Sequence, residues 1–242
     1  MKFRNIVFML LMLLMGLPMF SQQTYTVDVG QFERLKITGN ISVVYKNLPD
    51  STGLARYEAP LESGDLFSFN LKADGQLQVE PSDTKWGDNS LPVIYLYSDF
   101  LSGVESYSER DVDIVSLAPT ANLNINQIGN GTIRVEDLKC NNLSASITTG
   151  NGSIYLYGTC VNANFRMVGA GFISADQLKA DNVKCRILGT GSIGCWPIDN
   201  LQVSGLGTTK IYYKGSPTIK KKGGGKLFEL PEDTSAEVTA HD

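Results

Sequence analysis

From Gly129 to the carboxyl end the chain alternates apolar and polar residues in short runs cut by paired glycines. After most pairs come two inward candidates two residues apart: Ile133 and Val135, Ile154 and Leu156, Ile173 and Ala175, Ile193 and Cys195, Ile211 and Tyr213. Before the next pair comes a second such set: Ala145 and Ile147, Phe165 and Met167, Cys185 and Ile187, Leu201 and Val203. A period of two is the signature of strands with one buried face. Asn141-Asn142, Asn162, Asn164, Asp181-Asn182 and Asp199-Asn200 fall between these runs, and such side chains favour turns. Upstream the alternation is longer and less even: Phe32 to Val43, Leu66 to Leu71, Leu77 to Val79, Val93 to Tyr97, Val112 to Val115, and Leu123 with Ile125. These too read as strands.

The glycine pairs form a repeat. Gly129-Asn-Gly131-Thr-Ile133, Gly150-Asn-Gly152-Ser-Ile154, Gly169-Ala-Gly171-Phe-Ile173 and Gly189-Thr-Gly191-Ser-Ile193 are followed by looser versions at Gly205 and Gly223. The spacings are 150 − 129 = 21, 169 − 150 = 19, 189 − 169 = 20, 205 − 189 = 16 and 223 − 205 = 18. A unit this short, without a helix, cannot bury its own apolar face, whereas stacked units pair in parallel about 4.8 Å apart and share one core. Helical repeats need about 33 or more residues and propeller blades about 40. The expected fold is therefore all-β, a parallel β-helix (β-solenoid) with coils of about 16–21 residues, regular from about residue 129. Residues 24–128 are expected as wider, looped coils of the same solenoid, with a separate β domain as the lesser option. The phosphate-cradling reading of Gly-x-Gly fails because no amphipathic helix follows the glycines.

The first residues read differently. Lys2 and Arg4 precede an apolar run from Ile6 to Leu17, then Pro18, Met19, Phe20 and Ser21, the pattern of a secretory signal peptide over residues 1–21. The run is too short for a spanning helix and is broken by Gly16 and Pro18. The expected organisation is thus a signal peptide at 1–21, one solenoid domain over 22–230, and a mobile tail over 231–242. Export directs the protein to the periplasm, cell surface or extracellular space, with no transmembrane segment after signal removal.

Charge and composition narrow the chemistry. Twenty-one basic and 25 acidic residues give −4. Removing the signal region takes Lys2 and Arg4 with it, so the remainder stands at 19 − 25 = −6. An acidic chain is a poor ligand for nucleic acid, so no nucleic-acid partner is expected. The single histidine, His241, removes histidine triads and His metal clusters. No metal site and no cofactor are expected.

The chain resembles the family known as putative auto-transporter adhesin, head GIN domain. The resemblance rests on Phe32-Glu-Arg-Leu35-Lys-Ile37-Thr-Gly39, the serial Gly-x-Gly-Ser-Ile motifs, and the closing Tyr213-Lys-Gly215-Ser-Pro217-Thr-Ile219 followed by Gly223-Gly-Gly225. It implies a right-handed solenoid and an exported protein with adhesion as its role, and it brings no catalytic residues. The fifth coil departs from the pattern, since Gly205-Leu-Gly207-Thr-Thr-Lys-Ile211 inserts residues before the aliphatic position.

Candidate sites are few. If Ile154 and Leu156 point inward, Tyr155 and Tyr157 point outward, and stacking sets Tyr212 in register with Tyr155 and Trp196 in register with Tyr157. These four rings either form a flat face for a carbohydrate or protein partner or merely cover the sheet. Glu105, Glu109, Arg110, Asp111 and Asp113 are the densest ionisable cluster, read mainly as a solvated face. The alternative is a carbohydrate-active β-helix enzyme, lyase or hydrolase, using acids near Asp111. A purely structural envelope protein is the third class. Cys140 and Cys160 fall at equivalent places in adjacent coils and are a candidate disulfide, whereas Cys185 and Cys195 are expected as buried free thiols. Lys220, Lys221, Lys222 and Lys226 are expected to stop the open edge of the stack from recruiting another strand.

Overall fold

A computed structural model describes residues 22–60, 65–82 and 91–233. The expected signal peptide and residues 234–242 of the expected tail lie outside the described residues. Ten strands precede the regular coils: β1 (Gln22–Asp28), β2 (Arg34–Ile37), β3 (Val43–Asn47), β4 (Leu54–Pro60), β5 (Phe67–Leu71), β6 (Gln76–Pro81), β7 (Ile94–Ser98), β8 (Gly103–Ser106), β9 (Asp111–Ser116) and β10 (Thr120–Ile128). The coils follow as β11 (Thr132–Thr149), β12 (Ser153–Met167), β13 (Phe172–Ile187), β14 (Ser192–Gly205), β15 (Lys210–Tyr213), β16 (Thr218–Gly223) and β17 (Lys226–Glu229). Among the described residues the one helical element is a 3-10 turn at Pro49–Ser51, and no helix is long and apolar enough to cross a membrane.

The chain is a β-solenoid. Strands β11 to β14 pair in parallel, each with the next, in three stretches per coil; between β11 and β12 these run 132–135, 138–140 and 142–147 on β11. The isoleucine of every glycine motif lands in one interior column, Ile133, Ile154, Ile173, Ile193 and Ile211, and all five are fully buried. Each contributes roughly 1.5–3 kcal/mol by leaving water. Another column runs Ile125, Ala145, Phe165, Cys185, Val203. The Phe165 ring fits there because the residues above and below it, Ala145 and Cys185, are small.

The second glycine of the motif is required by its neighbour coil rather than by its own backbone angle. A Cβ on Gly171 would sit 2.0 Å from the carbonyl oxygen of Gly152, and one on Gly191 would sit 1.9 Å from that of Gly171. The turns nest so closely that only hydrogen fits between them.

The amino-terminal half belongs to the same continuous sheet, but its coils do not stack in chain order. Strand β2 pairs in parallel with β6 on one side and β8 on the other, and β3 likewise with β7 and β9. The rung formed first in sequence is therefore interior, and the chain leaves it through β4 and β5 to build the outer rung from β6 and β7. It then returns past the first rung as β8 and β9. The register keeps every apolar partner in place: Leu35 faces Leu77 and Val104, and Val43 faces Ile94 and Val112. Beyond the outer rung β1 and β4, and β5 and β6, pair antiparallel.

The fourth coil is short because it lacks a counterpart for three residues of the third. Pairing between β13 and β14 jumps from Ala175–Cys195 directly to Lys179–Trp196, so Asp176, Gln177 and Leu178 bulge without partners on β14. The offset between partners falls here from 195 − 175 = 20 to 196 − 179 = 17 and recovers to 200 − 182 = 18 past Ala180, the rest of the 16-residue spacing arising because Gly205 pairs with Ile187 rather than with Gly189, and the gap sets the geometry of the face described next.

Candidate binding face

The four aromatic residues singled out in the sequence do not form an open strip. Tyr155, Ser174, Gly194 and Tyr212 share one outward column, as expected for Tyr155 and Tyr212. Trp196, however, pairs with Lys179, while Tyr157 pairs with Gln177, so the expected Trp196–Tyr157 register is wrong. The cause is the missing counterpart of Asp176 to Leu178 in the fourth coil. Tyr212 is also buried rather than presented, at 5% exposure, packed with Phe172 and Leu230 and flanked by Tyr155. Gly194, bearing no side chain between Ser174 and Tyr212, leaves space on that column.

Trp196 is engaged from two sides. The ammonium of Lys179 lies 4.6 Å and that of Lys214 5.0 Å from its ring centroid. Lys214, from the fifth coil, reaches back across the short fourth coil to Asp176 of the third, with Nζ 3.7 Å from Oδ2 and both side chains fully buried. Ser174 donates a hydrogen bond to Asp176 Oδ1 at 2.9 Å. At 3.7 Å from Asp176 Oδ2 the Lys214 ammonium makes no hydrogen bond to an acceptor among the described residues. Trp196 thus lies against a buried ion pair that clasps three coils, while Tyr212 is taken up in packing with Phe172 and Leu230.

The acidic cluster lies at the start of β9. Asp111 and Asp113 face outward in register with Thr132 and Arg134, and Asp113 is ion-paired with Arg134. The guanidinium in turn lies 5.5 Å from the Tyr155 ring centroid. Burial would lower the affinity of Arg134 for its proton, yet the adjacent Asp113 carboxylate overrides this and raises it. Asp113 is therefore committed to neutralising a neighbour. Among the described residues no three metal-binding side chains converge.

All four cysteines are thiols in this structure, so the candidate Cys140–Cys160 disulfide is not formed. The two are nevertheless Cα partners in adjacent coils. The hydrogen bond that the Cys160 thiol donates to Cys140 pushes Cys160 well above the ordinary thiol range, as burial does, and draws Cys140 below it against the opposing effect of burial. Cys185 and Cys195 are buried as expected, and they also touch: the Cys195 thiol donates to Cys185, which raises Cys195, as burial does.

The open face lies on the third stretch of each coil. Asn122, Asn142, Asn162, Asn182 and Asn200 stack at its corner in a ladder of amide hydrogen bonds of 3.0, 3.0, 3.1 and 2.8 Å, each donated to the asparagine one coil earlier. Two residues past each ladder position stands an outward side chain, giving the column Asn124, Ser144, Asn164, Lys184, Gln202 and Lys220. Unlike the ladder, none of these six spends its side-chain hydrogen-bonding capacity on another described residue. Between ladder and column runs a shallow groove of roughly 390 Å3 lined by Asn162, Asn164, Lys184 and Gln202 among others. Further along the same face Gly103 replaces a side chain in register between Arg34 and Asn124 and opens a recess of roughly 350 Å3. The sequence reading passed over this column because polar outward residues look like ordinary solvated positions. Its signal is the regular offset of two from each ladder asparagine.

Comparison with known proteins places these features in a family. The profile described as "Putative auto-transporter adhesin, head GIN domain" matches residues 26–217. A crystal structure of a putative adhesin from Bacteroides fragilis NCTC 9343 is 25% identical, with a TM-score of 0.77 over 88% of this chain and 99% of that one. A putative adhesin from Parabacteroides merdae ATCC 43184 shares the fold at 22% identity, TM-score 0.68, over 87% of this chain and 97% of that one. A putative lipid binding protein from Parabacteroides distasonis ATCC 8503 does so at 21% identity, TM-score 0.67, with the same coverage. No curated protein matches the chain.

Proposed function

The chain belongs to the head GIN family of putative auto-transporter adhesins, and from that premise we propose that it is a non-catalytic, exported adhesin that holds a carbohydrate along the polar face of its solenoid. The observation that carries this reading is the column of Asn124, Ser144, Asn164, Lys184 and Gln202, one unspent polar side chain per coil beside an asparagine ladder whose amides bond to one another. Coils repeat every ~4.8 Å, so the column offers hydrogen bonds at a regular interval along a groove, which suits an extended chain of sugars. The pairing of Asp113 with Arg134 supports a binding role over hydrolysis. Export follows from reading residues 1–21 as a signal peptide, with the solenoid domain over 22–230 as the mature body.

Retention of the mature protein on a glycan array, without release of cleaved product, is the expected result. Asn164→Ala combined with Gln202→Ala should abolish that retention while unfolding stability stays within about 0.5 kcal/mol, as for exposed substitutions generally. Product release by the wild-type protein, or undiminished retention by the double variant, overturns the proposal.

A further inference from the structure

At the carboxyl end of the stack β16 pairs with β14 and β17 with β15, and no described strand covers their far sides. All six residues of β16 are exposed. Lys220 and Lys222 continue the outward columns of the polar face, and Lys221 stands in register with core Val203, at the end of an inner column. Lys226 opens β17. None of these four lysines has an ion pair among the described residues, Glu229, Glu232 and Asp233 just downstream included. Elsewhere some outward cations are neutralised, Arg34 with Asp74, Lys36 with Glu105 and Arg134 with Asp113, and others such as Lys184 stand singly, whereas on β16 three lysines run consecutively. Beside the lysines two aliphatic side chains stand in water, Leu206 at 78% exposure and Ile219 at 38%.

Protection of a sheet edge explains charge at this end but neither why β16 carries lysines alone nor the aliphatic pair, because a carboxylate, such as the exposed Glu229 that ends β17, blocks strand addition as well as an ammonium does. Adjacent like charges destabilise the free protein, so a concentration of unpaired lysines calls for a negative partner. A soluble polyanion would satisfy the lysines and leave Leu206 exposed. A layer of anionic headgroups meets both, with ammonium groups at the phosphates and short aliphatic side chains entering the boundary beneath them.

We propose that the carboxyl end of the solenoid is a foot that docks on an anionic phospholipid surface through Lys220, Lys221, Lys222 and Lys226, with Leu206 and Ile219 entering the interface. Docking at this end engages Lys220, the last member of the polar column, and leaves the groove lined by Asn162, Asn164, Lys184 and Gln202 free, and the proposal stands whether or not that groove binds carbohydrate.

The test is cosedimentation of the mature protein with vesicles of phosphatidylglycerol and phosphatidylcholine, against vesicles of phosphatidylcholine alone. Binding to the first only, weakening as salt is raised, is expected. The triple variant Lys220→Glu, Lys221→Glu, Lys222→Glu keeps the edge charged and should stay monomeric and folded, yet lose binding by at least about tenfold. Leu206→Ser, at an exposed position, should weaken binding severalfold with an unchanged melting temperature. Should the triple variant fail to fold, Leu206→Ser and Lys226→Glu carry the test alone. Three results overturn the proposal: no binding of the wild-type protein to anionic vesicles, equal binding by the charge-reversed protein, or retention on polygalacturonate matching that on vesicles with Leu206→Ser without effect.

Discussion

Lys214 and Asp176 show how a shortened repeat creates a residue-level commitment. Both side chains are fully buried, and taking an ammonium and a carboxylate out of water is costly unless each finds the other. The fourth coil, by lacking residues opposite Asp176 to Leu178, leaves the gap across which they meet. Removing one partner alone strands a buried charge, so Lys214→Met should cost about 3–5 kcal/mol in unfolding stability. Replacing both, with Asp176→Leu added, should recover most of that loss, because similar-sized apolar side chains avoid the desolvation. Urea unfolding of the two single variants and the double closes the cycle. A single substitution costing less than about 1 kcal/mol would mean that the pair does not clasp the coils. Trp196, with one lysine 4.6 Å and another 5.0 Å from its ring, belongs to this clasp.

At the scale of the coil the cysteines distinguish two environments. Cys140 and Cys160 are register partners at 8% and 7% exposure, on adjacent strands, and each ends the same stretch of its coil. Adjacent-strand spacing falls within the Cα separation that a disulfide accepts. Protein recovered from an oxidising compartment should therefore carry this bond, detected as the loss of two hydrogens in the peptide pair linking Cys140 to Cys160. Reduction should lower the melting temperature by ~6–12 °C, since closing a loop of this size contributes ~3 kcal/mol to a domain of this length. Two free thiols at these positions in exported protein would refute the bond. Cys195, pushed up by its hydrogen bond to Cys185 and by full burial, has almost no thiolate with which to react and should stay reduced. The coils themselves were legible because their determinants are local. Alternation and the glycine pairs sit within each unit and mark its strands and turns. The partner of Trp196 was not legible, since the short spacing after Gly189 shows that residues are missing but not which part of the coil lost them. The polar column was equally hidden, because an outward asparagine looks alike whether or not its amide is spent.

The whole molecule departs from its sequence in the order of its first rungs, and that order is testable. Nothing local distinguishes β2 and β3 from edge strands; their apolar alternation suits either place, and only pairing with residues some forty to seventy positions downstream makes them interior. Such distant pairings form late in a folding chain and leave no mark on local propensity. Once formed, they give β2 neighbours on both sides, while β5 pairs with β6 alone and β16 with β14 alone. Amide exchange follows local opening, which is rare where hydrogen bonds run to two neighbours over a fully buried row such as Leu35 and Ile37. Leu35 and Ile37 should accordingly exchange as slowly as Ile154 in the centre of the stack, despite lying so near the amino terminus, and Lys220 to Lys222 should exchange fastest among the strand amides. Peptide-level hydrogen exchange with mass spectrometry reads both. If coils instead stacked in chain order, β2 would be the exposed end of the solenoid and would exchange with the fast class. Slow exchange at Leu35 and Ile37 with fast exchange at β16 is the result expected if β16 is an edge with no strand beyond it among the described residues, the geometry that a foot on a lipid surface needs.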